Sequence, residues 1–279
     1  MRLFSLALAT ATLVAGAATA QTLDRIKETK QFNIGFRTDA APLSYLDNND
    51  KPAGYSPIIC DQIAQAIADR LELDEMNATF IPVDSKNRFD KVASGEIDLL
   101  CGAATITLSR REQVDFSIPT YIDGTDVLLP RDASGDLRQL AGKKIGMRSA
   151  TTTETAVKNS FSAAGVEAQM VRFDTHPAGI TALKNGEISA YFADQSILLV
   201  NFIAAGMGND FKISGEIMTV EKHGLAMARG DADFRLLVDS VLSDLYGSGA
   251  MADIFQTALP GVEPGFALDA LHMVAPTLP

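Results

Sequence analysis

The chain has 279 residues, a formal net charge of −11 and two cysteines. An acidic chain with no basic cluster is a poor partner for nucleic acid or anionic membrane, so any arginine that grips an anion must do so locally. The length is large for one core and comfortable for two lobes.

Residues 1–20 combine a positive start (Met1-Arg2), an Ala/Leu-rich apolar run and the small residues Ala18-Thr19-Ala20. This is the pattern of a secretory signal peptide, and the apolar run is short for a membrane anchor. The mature chain is expected to begin near Gln21, outside the cytoplasm. In that oxidising setting Cys60 and Cys101 favour a disulfide, closing a loop of about 40 residues worth about 3–4 kcal/mol. Two buried free thiols or a metal site are the alternatives; the second lacks histidines at ligand spacing.

Residues 32–36 read as a first strand with Arg37 directly after it, and residues 47–54 as a turn-rich surface hairpin. A helix follows, with Ser56 as its cap, Pro57 in its first turn, and Ile59, Ile63, Ile67 and Leu71 recurring every fourth residue. Cys60 flanks that stripe and faces inward. Residues 79–83 form the next strand. Ser85 then caps a short helix whose apolar face is Phe89, Val92 and Ala93, and Gly95 stops it. Ile97, Leu99 and Leu100 make a buried strand, followed by Thr105, Thr107, Ser109 and Arg110. Ligands of open α/β sheets bind beyond the carboxyl ends of the strands, and a fixed guanidinium there suits an anion.

Further on, residues 127–129 form a strand, 137–142 a short helical piece and 144–147 another strand. Thr151 and Glu154 stand at capping-box spacing at the start of a helix. A strand over 168–173 leads through His176-Pro177 to a helix ending at Asn185-Gly186, and the strand over 188–193 ends on Asp194. Residues 224–228 are a strand, 234–245 an amphipathic helix closed by Gly247, and 250–258 a further helix. The Pro/Gly-rich tail carries an apolar patch over 266–274, expected to lie on the first lobe. Lys91-Val92-Ala93-Ser94-Gly95-Glu96-Ile97 is echoed by Ala182-Leu183-Lys184-Asn185-Gly186-Glu187-Ile188. With the matching element order, the echo suggests two similarly built lobes, each offering a strand-end loop to a shared cleft.

The run Gly54-Tyr55-Ser56-Pro57-Ile58-Ile59-Cys60-Asp61-Gln62-Ile63-Ala64 resembles the signature helix of family 3 extracellular solute-binding proteins, the receptors of ABC importers for polar amino acids. Ser56 and Ile58 stand where many relatives are acidic. The Ser85-to-Phe89 element, the loop from Cys101 to Glu112, the threonine-rich helix start and the strand ending on Asp194 follow in the same order. The subgroup most similar is the periplasmic glutamate/aspartate-binding proteins.

The resemblance implies an α/β, two-lobed periplasmic-binding-protein fold (type II), with a mixed sheet flanked by helices in each lobe and a ligand cleft between them. The signal peptide would occupy 1–20, the first lobe 21–124 with 225–279, and the second lobe 125–224, with crossings near 121–129 and 218–225. Arg110 would clamp the ligand α-carboxylate, helped by Thr105 and the helix start at Thr151-Thr152, and Asp194 would accept from the α-ammonium group. Arg37, Ser85, Arg88 and His176 would bind a side-chain carboxylate. Ala103, also in the expected site, and Ala104 stand where dicarboxylate binders tend to carry hydroxyls.

No catalytic residue, metal or cofactor is expected. The implied partners of this periplasmic monomer are a small-molecule amino acid and an inner-membrane ABC permease. A dehydratase resembling the cyclohexadienyl dehydratases and a ligand-sensing module are the alternatives. Structural readings stand beside the functional ones: Arg88 could pair with Asp84 or Asp90, Asp194 could cap the next helix, and Arg111, His223 and His272 read as structural.

Overall fold

Short apolar strands alternating with helices leave the chain one economical solution, parallel strands joined by helical crossovers. The computed structural model describes residues 21–275, so the expected signal peptide lies outside the described residues. Two five-stranded sheets form. The first has the order Asn77–Val83, Gln31–Arg37, Leu99–Cys101, Ala226–Ala228, Val114–Phe116. The second has the order Gln169–Phe173, Lys144–Arg148, Ala190–Asp194, Thr125–Pro130, Phe211–Ile213. In both, the first three strands are parallel and the fourth runs antiparallel to its neighbours.

The sequence echo has a common physical basis in the two sheets. Gly95 (φ 75°) and Gly186 (φ 72°) are both left-handed, a conformation that costs a residue with Cβ. Gly95 N donates to Val92 O (3.1 Å) and Glu96 N to Lys91 O (3.0 Å); Gly186 N donates to Leu183 O (3.0 Å) and Glu187 N to Ala182 O (2.9 Å). These are two copies of one Schellman ending. The isoleucine that follows lies directly over a glycine of the second strand in each order, Ile97 on Gly35 and Ile188 on Gly146.

Helix Tyr55–Arg70 buries Ile59, Ile63 and Ile67 against the first sheet, and Cys60 is joined to Cys101 by a disulfide with Cα atoms 6.3 Å apart. Its cap is Gly54 (φ 113°), not Ser56. The carbonyls of Pro42 and Leu43 already accept from Tyr55 N (3.0 Å) and Ser56 N (2.9 Å), so the helix starts before the serine is reached. Ser85 likewise caps nothing. Asp84 Oδ1 accepts from Lys86 N (2.7 Å) and Asn87 N (2.9 Å), and the helix begins only at Arg88. Gly247 is the last residue of helix Ala232–Gly247 rather than a stop beyond it. The tail patch is a helix, Phe266–Val274, which buries Leu268 and Leu271 and contacts strand Tyr121–Asp123.

Between the sheets the chain passes twice, in strands Tyr121–Asp123 and Glu221–His223, which pair antiparallel with Asp123 opposite Glu221. Tyr121 stacks on Phe255 at 6.4 Å, and Tyr55 Oη donates to Thr120 O (2.8 Å), which anchors the first passage to the first core. Gly124 follows at a close approach, where a Cβ would collide with the carbonyl oxygen of Thr219.

Candidate ligand-binding site

The carboxyl ends of the parallel strands in both sheets face one another across these passages. They enclose a small hollow, with about 20 Å³ accessible to water, lined by Arg37, Arg88, Ala103, Thr105, Arg110, Thr151, Thr152, Thr153, His176, Asp194 and Ile197. Nine of the expected residues therefore line one hollow. The tenth, Ser85, does not line it, because its Oγ donates to Ser149 O (2.7 Å), tying the two sides together.

From the first side come the cations. Arg110 sits in the one-turn helix Leu108–Arg111, whose cap Thr107 accepts from Arg110 N (3.2 Å). Its Nη1 donates to Thr105 O (2.7 Å), which aims the guanidinium inward. Arg88 opens helix Arg88–Ala93 and is only 2% exposed. Among the described residues its Nε and Nη1 have no hydrogen-bond partner. The rival carboxylates are occupied elsewhere, Asp84 by backbone amides and Asp90 by Gln113. Both guanidiniums stand over Phe89, at 4.8 Å for Arg88 and 4.9 Å for Arg110, a cation–π contact that holds two like charges near each other. Arg37 is tied to Asp39 by Nε (2.9 Å) and Nη2 (2.6 Å). Burial, together with Arg37, Arg110 and Arg148, pushes the Arg88 guanidinium well below its ordinary pKa. An anion arriving beside it relieves that penalty.

From the second side come hydroxyls and an acid. Thr151 caps helix Thr152–Ala163, accepting from Glu154 N (3.3 Å), while Glu154 Oε2 accepts from Ala150 N (3.1 Å). Thr153 Oγ1 donates to Asp194 Oδ1 (3.3 Å). Asp194 makes no cap hydrogen bond to the helix it precedes. Burial, with Asp123 and Glu221 nearby, raises it well above the carboxylate range, a cost that an incoming ammonium would offset. His176 is buried, with Nδ1 3.1 Å from Tyr191 Oη. Burial outweighs the pull of Asp39 and holds its pKa at about 3, so the ring is neutral near pH 7.

Sequence reasoning missed several members of this cluster. Glu221 Oε2 accepts from Thr105 Oγ1 (2.6 Å) and Thr152 Oγ1 (2.6 Å), one hydroxyl from each side. Its Oε1 accepts from Thr125 (3.1 Å) and Thr219 (2.9 Å). Burial alone would raise Glu221, but these hydroxyls and His223 bring it below its ordinary value. His223, read as structural, lies with Nε2 3.5 Å from Asp194 Oδ2. Burial holds His223 at about 4, so it faces that acid as a neutral ring. Asp123 is pushed up to about 6 by burial, against donors from Ser196 and Gly124. Nothing local in the sequence marks Glu221. Arg148 did carry a signal, since Gly146-Met147-Arg148 closes its strand as Gly35-Phe36-Arg37 closes the corresponding one. Arg111 is exposed, as expected.

The model of bacterial extracellular solute-binding proteins, family 3, matches residues 32–260. The chain belongs to this family. Among curated relatives, the L-glutamate/L-aspartate-binding protein of Pseudomonas aeruginosa is 30% identical over 251 residues, covering 89% of this chain and 83% of the relative. The glutamate/aspartate import solute-binding protein of Escherichia coli is 27% identical over 238 residues, 84% and 78% of the two chains. The solved cysteine-binding protein of Campylobacter jejuni superposes with a TM-score of 0.75 at 24% identity, covering 87% and 96%. An ancestral amino acid-binding protein, a precursor of cyclohexadienyl dehydratase, gives 0.74 at 20% identity, covering 85% and 98%. At these identities the two structures show the shared two-lobed fold. In this family 3 chain the two sheets are the two lobes, and the hollow lies between them.

Proposed function

We propose that the chain is the periplasmic solute-binding component of an ABC importer and captures an acidic amino acid, glutamate or aspartate, by closure of its lobes. The observation that carries this reading is Arg88, a fully buried guanidinium with two unpaired donors in the same hollow as Arg110 and Asp194. A zwitterion with an anionic side chain matches this set. Its α-carboxylate faces Arg110 and the Thr152 helix start, its ammonium faces Asp194, and its distal carboxylate faces Arg88. The curated relatives that bind glutamate and aspartate support the same ligand class.

Ala103 removes a hydroxyl from the wall, so selectivity rests on the arginines. The lobes are taken as residues 21–124 with 225–279, and 125–224. An inner-membrane permease is the implied partner, and the signal peptide delivers a monomeric receptor to the periplasm. We read the protein as a receptor rather than a dehydratase, because the curated relatives it matches over most of its length are solute-binding proteins.

The test is a thermal-shift screen of the twenty amino acids and related dicarboxylates, followed by calorimetry. Glutamate or aspartate should give the largest shift, and Arg88→Ala should erode the preference for acidic over neutral ligands. Equal shifts for acidic and neutral amino acids would overturn the ligand class. Turnover of prephenate or arogenate would overturn the receptor reading.

A further inference from the structure

Two arginines that end corresponding strands meet on one carboxylate. Arg37 closes the second strand of the first sheet and Arg148 that of the second sheet, and both are 2% exposed. Arg37 Nε and Nη2 donate to Asp39 Oδ1 (2.9 and 2.6 Å), and Arg148 Nε donates to Asp39 Oδ2 (2.9 Å) across the lobes. Arg148 Nη1 is further held by Ser149 Oγ (3.2 Å) and Phe173 O (3.4 Å). Neither Asp39 nor Arg148 lines the hollow; they stand behind Arg37 and near His176.

We propose that Asp39 and Arg148 are specificity-determining residues. Asp39 is a built-in carboxylate that holds Arg37 off the ligand, joins the lobes through Arg148, and sets the far end of the hollow for a single ligand carboxylate. This rests on the receptor reading above.

The argument is one of charge balance. Arg37, Arg88 and Arg148 converge on the far end of the hollow, and three buried like charges without a counter-ion would repel one another. Asp39 gives its two oxygens to two of them, and among the described residues Arg88 is the one of the three with fully buried donors that lack a hydrogen-bond partner. One anionic side chain gives Arg88 its partner, whereas a neutral carboxamide leaves its charge uncompensated. Burial by itself would raise Asp39, but Arg37, His176 and Arg148 bring it to about 2, so it stays ionised throughout the neutral range. Opening the cleft would pull Arg148 from this carboxylate, and the contact therefore favours closure before any ligand arrives.

The experiment compares Kd for L-glutamate and L-glutamine in the wild type, Asp39→Asn and Arg148→Met, with X-ray scattering of each ligand-free protein. Asp39→Asn removes a negative charge and should raise the ratio of glutamine Kd to glutamate Kd by about tenfold. Arg148→Met should lower it by a similar factor. Loss of packing alone would weaken both ligands together and leave the ratio unchanged, and that outcome overturns the specificity role. Ligand-free Arg148→Met should show a larger radius of gyration than the wild type; an identical value overturns the joining of the lobes. If Asp39→Asn fails to fold, Arg148→Met decides both points. Should the wild type bind neither amino acid, the ligand class proposed above falls, and the scattering comparison still decides whether Asp39 joins the lobes.

Discussion

The two lobes share a strand order, a Schellman ending and an isoleucine laid over a strand glycine, yet they present opposite chemistry to the cleft. The pairing of Ile34 with Leu99 matches that of Ile145 with Ala190, so positions after the strands can be compared directly. By that register Ala103 of the first lobe corresponds to Asp194 of the second, and Ser85 corresponds to Thr175. One lobe keeps its loops cationic, with Arg37, Arg88 and Arg110; the other supplies an acid, a neutral histidine and a threonine-rich helix start. The scaffold is duplicated, and the chemical difference between the lobes lies in the loops that follow the strands, where backbone pairing no longer dictates side-chain choice. The fourth strand also differs: Ala226–Ala228 enters the first sheet from late in the chain, whereas Thr125–Pro130 enters the second at its start. The lobes are therefore joined by two passages rather than one.

Removing the cationic half of the cleft should break this comparison most severely. Arg110→Ala is predicted to weaken amino-acid binding by more than about a hundredfold, because it also leaves a ligand carboxylate buried without its partner. Unaltered affinity by calorimetry would remove Arg110 from the site. The next test concerns the covalent difference between the lobes. Reducing Cys60–Cys101, or replacing both cysteines by serine, should cost about 3–4 kcal/mol, read as a drop in the denaturation midpoint. A loss confined to second-lobe probes would contradict its placement.

Acid should destabilise both sides through His176 and Asp39, whose pKa values are both lowered on folding. His176 has a folded pKa of about 3, below its ordinary value of 6.5, and Asp39 about 2, below 3.8. In each case the unfolded chain binds the proton first. The stability is thus complete above the unfolded pKa and is lost as pH falls, from about 6.5 towards 3 for His176 and from about 4 towards 2 for Asp39. Asp194 and Asp123, raised by burial, act in the opposite direction, so the test is the difference between proteins: His176→Gln should lose roughly 2–4 kcal/mol less than the wild type between neutrality and pH 3 in denaturant titrations. The smallest effect is the most symmetric. Gly95→Ala and Gly186→Ala should each cost about 1 kcal/mol, and clearly unequal values would show that the two endings are not equivalent.

Much of this was legible in the chain because its causes are local. Helix Ala250–Ala258 and the cap at Thr151 follow from spacing within one or two turns, and Gly95 and Gly186 announce the positive φ that ends each helix. Where a distant segment intervened, local rules failed. Ser56 lost its cap role to carbonyls of an earlier loop, and Ser85 gave its hydroxyl to Ser149, 64 residues away. His223 looked structural because nothing within its own strand reveals that Asp194 stands 3.5 Å from it.

By itself, the sequence determined the alternation of strands and helices, the duplication of the lobe pattern and the polar residues at the strand ends. Each is set by periodicity, capping and turn chemistry that act over a few residues. Only the tertiary structure decided which charges meet. Asp39 and Arg148 are 109 residues apart, and Glu221 accepts from Thr105 116 residues before it. Such pairs depend on the register of two separately folded sheets and on the angle between them, and no short-range pattern carries that information.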